Sequence, residues 1–500
     1  MTEPESTTGA QQPYRVDYGD SEPHRHALAQ ALAADDITVE QLWLRAFALG
    51  GEAGPADLAA YLEGLMPLPT MERDVLAQAM NERIAEVGPS AVPYSRELEP
   101  PRPTTGPLAA LVGLLEGGRY CPPEQLSGIV DRAAQAMGLR GAAIFLADHE
   151  QYRLTAMRNG ESDGAAQFPV EGSLAGRAFQ TGETIPALND PPPRYWVPIL
   201  DGDERLGVLE VVLDRADQVV DPSLREQCQW LAALLGHLIA SLDAHGDRID
   251  RLRRSGPRSA GAELIWSLLP PLTAGVGGFV VSGLLAPADD LGGDIFDYAL
   301  SETSVSLAVF DAMGHGLRAG LIAAAAVSAY RAARKAGHDL LAQAALIDQT
   351  VAATFPDAYV TAVLIELDLG SGDIDYVNAG HPEPLLLRAG TVVTTLDGGR
   401  RLPLGLNADL GVAGDLVLGG ASLQPGDCLA LYTDGVTEAR ALNGAFFGDA
   451  RLVDYLERAA SSNQSPPETA RRLLHAVLDH QDGVLQDDAT LLLARWGARP

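Results

Sequence analysis

Two aspartates stand at the ends of neighbouring apolar stretches in the middle of the chain. Asp294 opens the stretch DIFDYAL and Asp311 closes the stretch SVSLAVFD, with Ser301–Ser304 as a turn between them. An antiparallel hairpin places the start of one strand beside the end of its partner, so we expect the two carboxylates to lie together. Adjacent carboxylates are costly unless a cation or a shared proton neutralises them. The alternative is a pair of ordinary turn aspartates.

Further acids occur at the ends of two more apolar stretches. Asp434 directly follows CLALYT, whereas Asp487 and Asp488 directly precede ATLLLARW. No cysteine or clustered histidine accompanies them, and oxygen-only carboxylate sites suit Mg²⁺ or Mn²⁺ better than zinc or copper. A site with two such ions can activate water and clamp a phosphoryl group.

Six motifs around these acids occur in the order and spacing of a known family. They are LGGDIFD, DAMGHG, YVTAVLIELD, YVNAGHPEP, LQPGDCLALYTDGVTEA and QDDATLLL. They resemble the metal-dependent protein phosphatases related to protein phosphatase 2C, in their bacterial SpoIIE-type branch, and the resemblance covers about residues 277–495. The resemblance implies an α+β fold, with two face-to-face antiparallel sheets covered by helices in a four-layer α-β-β-α sandwich.

The same resemblance implies the roles of individual residues. It makes Asp294, Asp311, Asp434 and Asp487 the catalytic acids and the ligands of two Mn²⁺ or Mg²⁺ ions, with Asp311 bridging them. The carbonyl of Ala312 adds another ligand. Asp488 joins the metal site by orienting the turn or holding water, with an ambiguity of one residue against Asp487. Asp297 is left open between ligation and a supporting role, and His315 and His381 are expected to be turn histidines.

These roles imply a serine/threonine phosphoprotein phosphatase in which a metal-bound hydroxide attacks phosphorus without a phosphoenzyme. Family resemblance suggests a phosphorylated anti-anti-sigma factor as substrate, which would couple a signal to transcription. Two alternatives stay open at this stage: a non-catalytic scaffold that binds signalling partners, and a phosphohydrolase of small molecules. A degenerate scaffold would be expected to lose one or more of the four aspartates, all of which are present.

Composition and charge disfavour several classes of partner and location. The chain has 500 residues and a formal net charge of −31, which disfavours nucleic acid and anionic membranes as partners. No apolar run approaches the roughly 20 residues that span a bilayer, and the first residues lack the pattern of a signal peptide. Three scattered cysteines indicate no disulfide framework. We therefore expect a cytoplasmic protein.

The order of segments predicts several domains. Residues 1–24 are expected to be disordered, 25–88 to form a small helical region and 89–106 a proline-rich linker. Residues 107–222 resemble a GAF sensor domain in the pieces VEGSLAGRAFQTGETI, RYWVPIL and DERLGVLEVVL. A small-molecule ligand of this domain is left open, because Tyr195 and Trp196 fit either a pocket wall or plain core. The resemblance implies that residues 271–497 form the phosphatase domain.

A heptad pattern occupies the linker predicted at residues 223–270. Apolar residues recur at alternating spacings of four and three from Leu224 to Leu252, with His245 as a polar intrusion. This 3.5-residue period is typical of a coiled coil, and predicts a parallel homodimer through residues 224–252. The alternative is one amphipathic helix packed on the sensor.

Overall fold

The computed structural model describes residues 22–34, 37–87, 92–94, 103–158, 165–188, 191–244, 246–286, 292–406, 417–483 and 485–497. The chain divides into two compact units, with the boundary between Pro103 and Thr104. None of the described helices combines the length and apolar character that crossing a bilayer requires. All three cysteines are free thiols.

The first unit is helical. Its helices are α1 (Glu22–Ala34), α2 (Val39–Ala48), α3 (Pro55–Leu62) and α4 (Thr70–Val87). Thr38 and Gln41 form a capping box, since each side chain accepts a hydrogen bond from the other residue's backbone N–H. Val92 bonds Asn81 through both its backbone groups and is buried against this unit. The predicted disorder of residues 1–24 is wrong at its end, because α1 already begins at Glu22; residues 1–21 lie outside the described part.

The second unit begins with a body built on one antiparallel sheet of order β3-β2-β1-β6-β5-β4. Its elements are α5 (Pro107–Gly118), α6 (Leu126–Ala136), β1 (Gly141–Ala147), β2 (Arg153–Met157), β3 (Gln167–Pro169), α7 (Leu174–Thr181), β4 (Ile185–Ala187), β5 (Arg194–Asp201), β6 (Glu204–Val212), α8 (Pro222–Asp243) and α9 (Asp247–Arg253). Short 3₁₀ turns occur at Pro123–Gln125 and Ala216–Val220. We call the body from α5 to α9 the sensor body. Tyr195 and Trp196 are both buried in it: the Tyr195 hydroxyl donates to the carbonyl of Val219, and the Trp196 ring packs on Phe145 and Phe168.

The predicted coiled-coil seam is wrong as a continuous intermolecular contact. The helix breaks between Asp243 and Asp247, and His245 lies outside the described residues. Apart from Leu238, which is only partly buried, the apolar heptad positions from Leu224 to Ile249 are buried in the sensor body's own core, against the sheet and α5 and α6. The predicted homodimer needed these side chains at its interface, but they are already covered within one chain. The amphipathic-helix alternative is the correct one.

The carboxy-terminal domain contains two sheets. One has the order β15-β12-β11-β10-β9, with β16 beside β12, and the other has the order β14-β13-β17-β18-β8-β7. Its strands are β7 (Thr273–Val276), β8 (Phe279–Ala286), β9 (Asp294–Leu300), β10 (Ser304–Ala312), β11 (Val360–Asp368), β12 (Asp373–Ala379), β13 (Leu385–Arg388), β14 (Thr391–Thr395), β15 (Arg400–Arg401), β16 (Gly419–Ser422), β17 (Cys428–Tyr432) and β18 (Ala489–Trp496).

Helices cover these sheets. They are α10 (Ala260–Leu268), α11 (Gly316–Lys335), α12 (Leu340–Thr354), α13 (Asp434–Thr437), α14 (Asp449–Ser461) and α15 (Pro466–His480). One core lies between the sheets and reaches α14 and α15, and a second joins the β9–β12 sheet to α10, α11 and α12. The architecture is therefore the predicted α-β-β-α sandwich within a mixed α+β chain.

Candidate metal centre

The β9–β10 hairpin brings the first two acids together. Asp294 and Asp311 are direct cross-strand partners, and Ser301 N–H bonds the carbonyl of Ser304 in the connecting turn. The hairpin prediction is confirmed. Asp294 is 3% exposed, whereas Asp311 is half-buried near the carboxyl end of β10.

The other three acids come from the facing sheet. Asp434 begins the short helix α13 directly after β17, and Asp487 and Asp488 precede β18, the neighbour of β17. Asp488 is buried, whereas Asp434 and Asp487 are exposed. The Asp487 carboxylate accepts a hydrogen bond from the Asp488 backbone N–H, which holds this turn.

Two glycines allow the loops that carry these acids to approach closely. A Cβ on Gly293 would stand 2.3 Å from the carbonyl oxygen of Ala312, and one on Gly435 would stand 1.9 Å from that of Asp488. Both positions exclude any other residue, because real Cβ atoms do not approach an oxygen so closely. Glycine therefore brings the Asp294 loop against Ala312 and the Asp434 turn against Asp488.

Burial and mutual repulsion disturb these carboxyl groups. Burial, followed by the charges of Asp311 and Asp488, raises the pKa of Asp294 well above its ordinary range. Burial and then Asp434, Asp487 and Asp488 raise the pKa of Asp311 to about 7. Loss of surrounding solvent and the charge of Asp487 also raise the pKa of Asp434. Acids from both sheets therefore act on one another at this end of the sandwich.

The donor set fits a hard divalent cation. It offers carboxylate oxygens whose repulsion a cation would relieve, and no soft ligand stands among the named acids. Across the described ranges, no three Asp, Glu, His or Cys side chains close around a common point as a finished metal cage would. The acids therefore lie in one region but do not form a closed set of ligands around a single point.

Neighbouring polar residues hold the acids in place. Thr361 is the cross-strand partner of Asp311, and its hydroxyl lies 2.9 Å from Nδ1 of His381. Burial lowers the pKa of His381 to about 4, and its backbone N–H and carbonyl both bond the Asn378 side chain. This neutral, buried histidine shapes a turn, as the sequence led us to expect. His315 is exposed immediately before α11.

Asp297 lies apart from the other acids. Its carboxylate is buried and receives hydrogen bonds from Arg331 at 2.7 Å and Arg334 at 3.0 Å, both on α11. This pairing favours a supporting role over direct ligation, because the carboxylate is occupied by two guanidinium groups.

Sequence reasoning missed two threonines that contact Asp294. Thr433 and Thr490 are fully buried and donate hydrogen bonds to Oδ2 of Asp294 at 2.7 Å and 2.8 Å. The only signal in the sequence is their place within the acid motifs, since Thr433 precedes Asp434 and Thr490 follows Asp488 by two residues.

Comparison with known proteins gives a family model, curated relatives and solved structures that match part of the chain. Residues 301–497 match the family model described as Stage II sporulation protein E (SpoIIE). Phosphoserine phosphatase RsbU of Bacillus subtilis is 26% identical over 220 residues, covering 43% of this chain and 62% of RsbU. Phosphoserine phosphatase RsbP of the same organism is 27% identical over 192 residues, covering 36% of this chain and 46% of RsbP.

Among solved structures, the SiaA-PP2C domain of Pseudomonas aeruginosa is 26% identical, with a TM-score of 0.38, and the match covers 43% of this chain and 85% of that domain. The chain spans less than two thirds of the length of RsbU and of RsbP.

Proposed function

We propose that the chain is a metal-dependent phosphatase, with a SpoIIE-type domain at residues 301–497, and that it removes phosphate from serine or threonine of a phosphoprotein. The observation that carries this proposal is the meeting of Asp294 and Asp311 from one sheet with Asp434, Asp487 and Asp488 from the other. RsbU and RsbP, which match 43% and 36% of this chain, are named phosphoserine phosphatases.

The same acids explain why a cation is needed. Without one, a cluster of carboxylates repels a phosphate group, so the protein alone would reject its substrate. Asp294, Asp311, Asp434 and Asp487 would hold two Mn²⁺ or Mg²⁺ ions, with the carbonyl of Ala312 and with Asp488 nearby. When bound, such ions supply Lewis acidity toward the phosphoryl group and the attacking water. The chain's own contribution is to fix the carboxylates from two sheets at one end of the sandwich.

The proposed substrate is a phosphorylated anti-anti-sigma factor, following the family resemblance of the six motifs. The proposed regulator is the sensor body, which we assign as GAF-like. Its six-stranded antiparallel sheet, with α6 and α8 on one core and α7 on another, supports that assignment.

Polar contacts between the sensor body and the phosphatase domain support regulation. The Arg205 guanidinium on β6 lies 3.5 Å from Glu468 on α15, and Arg471 pairs with both Glu468 and Glu171. The rings of Tyr152 and His475 stack with centroids 3.7 Å apart. These buried charges make the relative position of the two bodies specific, because a displaced partner would leave a charge uncompensated.

A second connection runs through α9 and α10. Arg254 pairs with Asp250 of α9 and with Glu263 of α10, the latter at 2.9 Å between Nη2 and Oε2. Helix α10 packs on α11 through Ile265, and a Cβ on Gly261 would stand 3.2 Å from the backbone of Leu317. Because α11 starts five residues after Asp311, a shift of α10 would reach the acid loop directly.

Replacing Asp311 by Asn tests the proposed activity. The change keeps the shape of the side chain and removes the charge between the two sheets, so Mn²⁺-dependent hydrolysis of a phosphoserine peptide should fall by orders of magnitude. The matched control is Glu366→Gln, an exposed acid on the neighbouring strand β11, which should hydrolyse the peptide as the parent does. Circular dichroism establishes that both variants are folded.

Two results would reject the phosphatase assignment. One is hydrolysis by Asp311→Asn at the parent's rate, and the other is full parent activity in excess chelator. A parent that binds Mn²⁺ but hydrolyses neither phosphopeptides nor aryl phosphates would favour the scaffold reading instead.

A further inference from the structure

The carboxylate of Asp294 is held by groups from the opposite sheet. Asp294 belongs to β9, whereas Thr433 follows β17 and Thr490 lies in β18. Both hydroxyls donate to the same oxygen, Oδ2, at 2.7 Å and 2.8 Å. These bonds therefore cross from one sheet of the sandwich to the other at the acid end.

The direction of the Thr433 hydroxyl is fixed by its surroundings. Its oxygen accepts a hydrogen bond from the Thr490 backbone N–H at 3.0 Å, and the Thr433 N–H bonds the Thr490 carbonyl at 3.1 Å. A hydroxyl has a single hydrogen, so this one is left to point at Asp294. With both threonines fully buried, water does not compete for these bonds.

Two hydrogen bonds on Oδ2 orient the whole carboxylate, including its other oxygen. Hydrogen bonds to charged acceptors are shorter and stronger than neutral ones, and outer partners of a ligating carboxylate fix its direction. We propose that Thr433 and Thr490 are positioning residues that hold Asp294 for a divalent cation and lock the two sheets in register at the site. This inference rests on the proposed function, since it assigns a role toward that same metal centre.

A purely structural role is the alternative. Buried threonines could join the sheets and contribute only to folding, in which case their loss would lower stability without a specific effect on the cation. The two roles predict different Mn²⁺ affinities for a folded threonine variant: weaker binding for a positioning role, and unchanged binding for a purely structural role.

The test compares Thr490→Val in the full chain with a matched control. Valine has the shape of threonine without the hydroxyl, and Thr433 keeps its own bonds in this variant. The control is Thr273→Val on β7, where a buried threonine hydroxyl lies 3.0 Å from the Ser282 hydroxyl and contacts no acid of the site. Thr490→Ser restores the hydroxyl, and Thr433→Val adds a second disruption.

Mn²⁺ binding is measured by isothermal titration calorimetry, with thermal melting on the same samples. Thr490→Val should bind Mn²⁺ roughly tenfold to a hundredfold more weakly, Thr490→Ser should recover most of that loss, and Thr273→Val should bind as the parent does. The Mn²⁺ concentration for half-maximal hydrolysis should rise in the same order.

Parent-like Mn²⁺ affinity in folded Thr490→Val would overturn the positioning role, and so would an equal loss in Thr273→Val. If Thr490→Val does not fold, Thr490→Ala is measured in its place with the same two readings. A parent that neither binds Mn²⁺ nor hydrolyses phosphopeptides overturns the proposed function itself, and is distinguished from the first outcome because the parent also fails.

Discussion

Arg471 carries the most buried charge between the sensor body and the phosphatase domain. Its side chain is fully buried on α15, and its guanidinium donates to Glu468 at 2.8 Å and 3.0 Å and to Glu171 of the sensor body. Nη1 also lies 3.2 Å from Nδ1 of His475. Replacing Arg471 by Met keeps an unbranched apolar side chain and removes every one of these contacts.

The expected cost follows from what Glu468 keeps. Removing one partner of a buried ion pair costs about 3–5 kcal/mol when the other charge is stranded. Glu468 would still have Arg472 at 2.6 Å and Arg205 at 3.5 Å, so its charge stays partly compensated. We therefore expect the free energy of unfolding to fall by about 2–3 kcal/mol.

The measurement is urea unfolding of the full chain near pH 7, followed by circular dichroism. Glu171→Gln is the control at the rim of the same network, and should cost under about 1 kcal/mol because its side chain is 62% exposed. The double variant Arg471→Met with Glu468→Gln has no stranded charge. Its loss of unfolding free energy should therefore be smaller than the sum of the losses in the two single variants. Additive losses, or a loss no larger than that of Glu171→Gln, would refute this account of the interface.

Two further predictions concern buried side chains of the sensor body. Burial raises the pKa of Glu204 to about 7, so the folded protein holds a proton there that the unfolded chain releases above its ordinary pKa of 4.5. As pH rises from 4.5 to above 7, the unfolding free energy of the parent should therefore fall by up to about 3 kcal/mol relative to that of Glu204→Gln. A difference between the two proteins that does not change with pH would contradict this. Leu235→Lys should unfold the sensor body, at a cost of about 3 kcal/mol or more, because Leu235 is fully buried, whereas Lys at the exposed Ala233 should be tolerated. Sedimentation showing a stable Leu235→Lys variant of lower mass than the parent would restore the dimer seam.

Local pattern was enough to predict the strands and helices that carry the acids. Alternating apolar residues around a turn predicted the β9–β10 hairpin and hence the pairing of Asp294 with Asp311, because hairpin geometry depends only on neighbouring residues. The periodicity of each short segment matches the surface that it buries.

The sequence by itself was enough to single out the candidate acids and the elements that carry them. Only the tertiary structure decided what each buried face meets. The heptad stripe of α8 is compatible with a partner helix or with the sensor's own sheet, and the sheet covers it. Likewise Thr433 and Thr490 look like ordinary strand residues until the two sheets pack and place their hydroxyls on Asp294, more than a hundred residues away in the chain. Periodicity records that a surface is buried, whereas the identity of its partner depends on contacts between distant segments that no local pattern contains.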